Sequence, residues 1–279
     1  MILVTGASGN VGGELVRALV ARDVPARAFG RTPMQSTFPS AVEVAAGDLD
    51  EPDSLGAALA GVSKVFLLGG FPTLPQQLRR MEKAGIDHVV LLTSRCVVGG
   101  QPDNAITRMW LDSEAAVRDA GIPWTILRPS GFHSNALRWL PQLGQGDVVR
   151  APWPRVPIAS IDPFDIAAVA ATALTQPGFA HTSPSLSGPE PLTPAEQVAT
   201  LARALHRPLR YQALSDDEAR AAMEGDTPHD FVDAFFRFFS EGEFDDATVV
   251  DTVHQITGQQ PRTFEAWTEA HAHQFGPGG

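Results

Sequence analysis

The sequence predicts an α/β protein, a doubly wound parallel sheet followed by a smaller, mostly helical C-terminal lobe. Three observations carry that expectation. The chain opens on a short apolar run that turns at once into spaced glycines. Strand and helix patterns then alternate through the first half, the arrangement that gives a parallel sheet with helices on both faces. Beyond about residue 188 the alternation stops and helical patterns dominate.

The first turn is the most informative element. Ile2 to Val4 read as a buried strand, and Val11 to Leu19 carry apolar residues at helical spacing. Gly6 falls where the chain must bend and Gly9 where backbone must approach a ligand. Gly12 falls where the helix packs tightly on the strand. A helix beginning there offers unpaired N–H groups and the positive end of its dipole to an anion. Glycines are common in any turn. Placed after a strand and before a helix, with Ser8, Asn10 and Val11 between them, they read as a site for the pyrophosphate of a dinucleotide.

Further strands are expected at residues 26–29, 42–45, 64–68, 88–93 and 124–127, each short and rich in Val, Leu and Ile. Helices are expected at 11–22, 54–59, 75–84 and 105–120. Asp53 or Ser54 caps the second, and Gly85 and Gly121 end the third and fourth. In the second half, 151–157 reads as an extended loop, 163–175 as a helix behind Asp162, and 184–187 as a short strand. Thr193-Pro-Ala-Glu196 is a capping box opening a helix to about Leu205. Helical stretches near 215–223, 229–239 and 264–275 finish the chain. This places a dinucleotide-binding domain at 1–150, its last sheet elements at about 156–187, and a substrate-covering lobe at 188–279.

Composition narrows the partners. Acidic residues outnumber basic ones 32 to 21, a formal net charge of −11, which argues against nucleic acid or anionic membrane. The single cysteine, Cys96, cannot form an intrachain disulfide, as suits a reducing cytoplasm. No N-terminal signal precedes the first strand, and no apolar stretch is long enough to span a bilayer. A cytoplasmic protein with a small-molecule substrate is expected. No metal site is expected: His271 and His273 stand near the C-terminus without a Cys or Asp cluster. Oligomeric state is left open.

Charge also bears on the dinucleotide. Sites that prefer NAD place Asp or Glu at the end of the second strand, where an acid repels a 2′-phosphate. Here Phe29 is followed by Gly30-Arg31-Thr32, with no acid and a guanidinium able to grip phosphate. A surface arginine leading a turn is the plainer alternative. Its place one strand from the glycine turn favours NADP(H).

Several segments carry a wider resemblance: Thr5-Gly-Ala-Ser-Gly-Asn-Val-Gly12, Gly47-Asp48-Leu49, Trp124-Thr-Ile-Leu-Arg-Pro129 and Asp165-Ile-Ala-Ala-Val-Ala170. Ser187-Gly-Pro-Glu190, Leu192-Thr-Pro-Ala-Glu196 and Pro261-Arg-Thr-Phe-Glu-Ala-Trp267 continue it. In this order, over nearly the whole chain, they resemble the NmrA-like branch of the atypical short-chain dehydrogenase/reductases, NADP-binding Rossmann proteins. That family includes quinone, azo-dye and imine reductases, ketoreductases of antibiotic pathways, and redox sensors without turnover. The resemblance implies that Asp48 and Leu49 flank the adenine and that Leu68, Gly69 and Gly70 line the dinucleotide cleft. It also implies that Thr93 and Ser94 approach the nicotinamide and that Pro129 and Ser130 close that end.

One family feature is missing. The superfamily normally carries Tyr-x-x-x-Lys on the helix after the fifth strand, with Tyr as proton donor. The helix expected at 105–120 contains neither residue; the chain has one tyrosine, Tyr211, and two lysines, Lys64 and Lys83. Counting back from Gly121 puts Ile106 and Trp110 at those two positions, and Glu114 where the family often keeps a glutamate. Met109, Trp110, Phe132, Trp139 and Trp153 either fill core or wall an aromatic substrate pocket. Ser94 is a candidate hydrogen-bond donor, Arg95 a candidate substrate contact, and His133 a candidate acid in the loop after Pro129. Two functions fit. One is an NADP(H)-dependent reductase moving hydride to a conjugated ketone or quinone, such as an aromatic polyketide, whose own π system holds the charge. The other is a non-enzymatic NADP(H) redox sensor. The aromatic inventory favours the reductase.

Overall fold

The structure, a computed structural model, describes residues 1–32, 38–225 and 227–276. Its strands are β1 (Ile2–Thr5), β2 (Ala26–Gly30), β3 (Glu43–Ala46), β4 (Lys64–Leu68), β5 (His88–Leu92), β6 (Trp124–Pro129), β7 (Val148–Ala151), β8 (Ser185–Leu186) and β9 (Arg210–Ala213). Seven of them form one parallel sheet in the order β3-β2-β1-β4-β5-β6-β8, while β7 pairs in parallel with β9. This is the Rossmann order. The sheet grows outward from β1 in one direction and from β4 in the other, and the crevice at that switch point is where such sheets bind dinucleotides.

The helices are α1 (Asn10–Val20), α2 (Leu55–Ala58), α3 (Leu74–Lys83), α4 (Ala105–Asp119), α5 (Leu140–Leu143), α6 (Pro163–Thr175), α7 (Pro194–Ala204), α8 (Asp216–Met223), α9 (His229–Phe239), α10 (Thr252–Thr257) and α11 (Phe264–His271). Side chains alternate across each strand, so each face of the sheet has its own core. Val4, Phe66 and Leu127 pack with Leu15 of α1, Val169 of α6 and Val253 of α10. Leu3, Leu67, Leu91 and Ile126 pack with Leu55, Leu78 and Val117 of α2, α3 and α4. Gly85 and Gly121, at φ +72° and +66°, stand in the left-handed conformation that ends helices α3 and α4.

Three details differ from the sequence expectation. Neither Asp53 nor Ser54 caps α2: the helix opens as a 3-10 turn, Pro52–Ser54, without a side-chain cap. Ser54 Oγ turns back to the carbonyls of Asp48 and Glu51, at 2.8 and 2.7 Å. A proline at the first helical position removes one amide that needs a cap, which makes this start tolerable. Second, α10 arises where no element was expected and inserts Val253 into the core under α1 and α6. Third, β7 leaves the first 150 residues to join β9, so the chain crosses between body and lobe in both directions.

The lobe has its own core of Trp139, Val149, Leu201, Leu209, Phe264 and Trp267. Its helices start on well-formed signals. The capping box of Thr193 and Glu196 opens α7, and a second, of Ser215 and Glu218, opens α8. No helix among the described residues is long and apolar enough to cross a membrane. No group of three or more His, Cys, Asp or Glu among them could hold a metal ion.

Candidate active site

The glycine turn is shaped by contacts that only glycine permits. Gly6 sits at φ +62°, and a Cβ there would stand 2.4 Å from Leu68 Cδ1. At Gly12 a Cβ would come within 2.3 Å of the Gly6 carbonyl oxygen, so its absence lets α1 close on β1. Gly9 differs. Its backbone is extended, and a Cβ would meet only the Gly6 carbonyl oxygen, at 3.2 Å. Gly9 is also the N-cap of α1, and no side chain caps that helix. The first-turn amides and the dipole therefore face the crevice without a side-chain acceptor, as a pyrophosphate requires. Asn10 ties the turn to the loop beyond β6 by donating to Ser134 Oγ at 3.0 Å, and Val11 is buried in the core.

Across the crevice, Ser8 is exposed, and its Oγ would lie 3.9 Å from a Cβ on Gly30 at the end of β2. Arg31 and Thr32 follow, both exposed, and Arg31 has no ion pair among the described residues. An exposed arginine directly after Gly30, whose Cβ position lies 3.9 Å from Ser8 Oγ, suits a ribose phosphate. Asp48 Oδ1 accepts from the Asp50 amide at 3.0 Å, and the Leu49 carbonyl accepts from Thr73 and Gln77, both at 2.7 Å. These bonds fix the wall beyond β3. A cavity of about 370 Å³ opens beside the turn, lined by Ser8, Asn10, Arg17, Phe164 and Arg262 among others.

The other end of the crevice is built on β4, β5 and β6. Beyond Leu68, the Gly69 amide donates to the Leu92 carbonyl at 3.1 Å, and the Gly70 amide donates to Ser113 Oγ at 2.9 Å. Met109 and Trp110 of α4 stand over this bend: a Cβ on Gly70 would lie 3.5 Å from the Met109 sulfur and 3.7 Å from the Trp110 ring. Beneath it, fully buried Glu114 accepts a two-pronged bond from Arg128, at 2.8 and 2.6 Å, and a third from Arg118 at 2.7 Å. Burial works against the Glu114 carboxylate, but the two guanidiniums outweigh it and hold its pKa below the usual value. Thr93 Oγ1 lies 3.2 Å from both Glu114 Oε1 and the Leu127 carbonyl. Ser94 is half-buried, and its Oγ accepts from the Cys96 amide at 3.3 Å. Pro129 is buried at the end of β6, and Ser130 Oγ donates to the Ala159 carbonyl at 2.5 Å.

The structure places five of the expected site residues differently. His133 is no acid. It is buried, its ring nitrogens meet Ser160 Oγ at 2.9 Å and the Arg262 carbonyl at 3.2 Å, and it packs against Phe264 and Trp267. Burial pushes its pKa down to about 4, against the pull of the Arg262 carbonyl, so the imidazole is neutral near pH 7. Trp139 belongs to the lobe core, and Phe132 packs on the sheet core under α1 and α6; neither joins Trp110. Arg95 is buried and engaged within the protein: its Nη1 donates to the Thr248 carbonyl at 2.5 Å. Trp153, at φ +54°, lies against Phe236 and Phe239, with its Nε1 donating to Ser240 Oγ at 2.9 Å.

What stands beside Trp110 instead is α9. Ala234 and Phe238 close on Cys96 and Ile106, with Phe231, Phe235, Phe239 and Phe244 around them. Phe231, Phe235 and Phe239 recur every fourth residue, a spacing visible in the sequence as one helical stripe. It reads as ordinary core until α9 is seen packed on α4. The lone tyrosine is elsewhere, in β9, where its hydroxyl donates to the Ala151 carbonyl at 2.9 Å. Lys64 donates to the Leu174 carbonyl at 2.6 Å, below the sheet.

This crevice, closed by an uncapped helix at one end and aromatic rings at the other, defines a dinucleotide-dependent oxidoreductase. Residues 6–177 match the model of the NAD(P)H-binding family, and the chain belongs to that family, with NmrA-like and other atypical short-chain reductases among its relatives. It is 40% identical over 282 residues to a (4-alkanoyl-5-oxo-2,5-dihydrofuran-3-yl)methyl phosphate reductase of Streptomyces griseus, covering 99% of this chain and 100% of that one. It is 36% identical over 289 residues to an NAD(P)H azoreductase of Xenophilus azovorans, covering 99% of each. The fold is shared with the NADPH complex of an Escherichia coli quinone oxidoreductase, at 24% identity and TM-score 0.80 over 99% of this chain and 100% of that one.

Proposed function

We propose that this protein reduces a flat, conjugated ketone or quinone with NADPH. The carrying observation is the pairing of an intact pyrophosphate turn with a catalytic end that offers aromatic rings, and no Tyr/Lys pair, on α4. Bound dihydronicotinamide supplies the hydride. The turn and Arg31 hold the dinucleotide, Gly69 and Gly70 let Trp110 and Met109 close on the end of β4, and Met109, Trp110 and the α9 phenylalanines orient a planar acceptor and exclude water. A conjugated acceptor spreads the incoming charge over its own carbonyl, which lowers the demand for a tyrosine acid. The Streptomyces griseus relative supports this reading, since its named substrate places an alkanoyl group on an unsaturated oxo-dihydrofuran ring.

NADPH oxidation against matched panels tests it. Quinones, acyl-butenolides and polycyclic aromatic ketones should turn over, and saturated ketones of similar size should not. Equal rates with saturated ketones would remove the argument from conjugation. Tight NADPH binding without turnover of any acceptor would favour the redox sensor.

A further inference from the structure

One buried carboxyl at the catalytic end has an oxygen without a partner. Asp246 lies between α9 and α10 and is 7% exposed. Its segment is laid across the strand ends that carry the chemistry. Arg95, just past β5, donates to the Thr248 carbonyl, and the Ala159 amide donates to the Asp246 carbonyl at 2.8 Å. The Val250 amide donates to Ser187 Oγ beyond β8 at 2.9 Å. The Asp246 side chain points at β6: its Oδ2 accepts from the Gly131 amide, two residues beyond Pro129, at 2.9 Å. Oδ1 is fully buried with no hydrogen-bond partner, and Arg95 Nη1 stands 4.0 Å from it.

The two oxygens are inequivalent, and that decides where a proton goes. Oδ2 can accept from Gly131 whether the group is charged or neutral, so a proton belongs on Oδ1. Burial raises the pKa to about 7; the Gly131 amide and Arg95 pull it down, and Asp245 pushes it up again. The Cys96 thiol also faces this carboxyl, but burial pushes its own pKa up to about 11 and leaves it neutral. A neutral carboxyl with Oδ1–H then holds a donor for which the described residues supply no acceptor. A buried donor without an acceptor costs free energy unless something fills the place.

Resting on the reductase reading, we propose that Asp246 is the proton donor of the reduction, standing in for the absent tyrosine. Hydride adds to carbon of the conjugated acceptor, and the carbonyl π pair moves onto oxygen. That oxygen takes the proton of Oδ1–H as the carboxyl O–H bond breaks. Arg95 holds the carboxylate until solvent returns a proton, and the net reaction consumes one hydride and one proton per acceptor.

Asp246→Asn tests this, because the amide keeps an acceptor for Gly131 and loses the acid. NADPH affinity should hold while kcat falls by about 10²–10⁴-fold. Wild-type kcat should decline as pH rises through about 7, where the donor deprotonates, and the residual rate of the variant should not. Infrared titration gives a readout free of turnover. A protonated-carboxyl band should vanish through about pH 7 in the wild type and be missing from the variant. If Asp246→Asn does not fold, the wild-type band and pH profile decide alone, and absence of either overturns the proposal. Wild-type turnover in Asp246→Asn overturns Asp246 and leaves the reductase standing. A wild type inactive on every acceptor overturns both.

Discussion

Gly9 and Gly12 stand three residues apart in one turn and answer to different constraints. At Gly12 a Cβ would come within 2.3 Å of backbone, so the fold itself needs glycine; at Gly9 the backbone is extended and a Cβ would meet only the Gly6 carbonyl oxygen, at 3.2 Å, which a shift of a few tenths of an ångström relieves. Gly9→Val should therefore abolish dinucleotide binding and keep the circular dichroism spectrum, since a β-branched residue tolerates extended backbone. Retained NADPH binding in a folded variant would move the site elsewhere. Arg31 should discriminate cofactors: NADPH should bind more tightly than NADH, and Arg31→Ala should cost roughly 1.5–3 kcal/mol of NADPH affinity by calorimetry. Equal wild-type affinities would sink that assignment. His133 should appear in stability rather than turnover. The folded chain resists protonation to about pH 4, while the unfolded chain takes the proton near 6.5. Its stabilisation is thus complete above pH 6.5 and is lost as pH falls toward 4. In His133→Gln, the denaturation midpoint should fall less over that range than in the wild type, and the pH–rate profile should keep its wild-type shape.

Helix α4 joins the two halves of the chemistry, with Trp110 on the crevice and Glu114 one turn deeper. Glu114 clamps α4 to β6 through Arg128, and both partners lie mostly out of water, with side-chain exposures of 0% and 19%. Breaking such a pair leaves a buried charge short of donors, so Arg128→Ala should cost about 3–5 kcal/mol in chemical denaturation. A loss below about 1 kcal/mol would place the pair with ordinary surface bridges. Trp110→Ala should act chiefly on KM, because a stacking wall serves ground and transition states alike. The elements themselves were largely legible. Strand β4 and helices α6 and α9 have the bounds that apolar periodicity and caps predict. What escaped were β7, β9 and α10, short pieces whose signal lies in distant partners. Four residues of Val148–Ala151 become a strand only because Arg210–Ala213 lies alongside.

At the scale of the molecule, the glycine turn and the alternation of strand and helix made the sheet and its cofactor readable, since both are local patterns. The substrate end was not. Phe238 joins Cys96 and Ile106 in the cluster on which Trp110 packs, and Asp246 meets Gly131, across more than a hundred residues, and no spacing in the chain announces either contact. Aromatic residues chosen one by one from the sequence were therefore as apt to be lobe core, like Trp139, as crevice wall, like Trp110. The central claim is that carbon of a conjugated acceptor receives hydride in the crevice above β4 and β5. It is tested most directly with NADPH deuterated on the transferring face of C4, incubated with the protein and an acyl-butenolide. One deuterium on a carbon of the reduced product, by mass spectrometry and NMR, is the predicted result. NADPH bound tightly with no label in any product would contradict it.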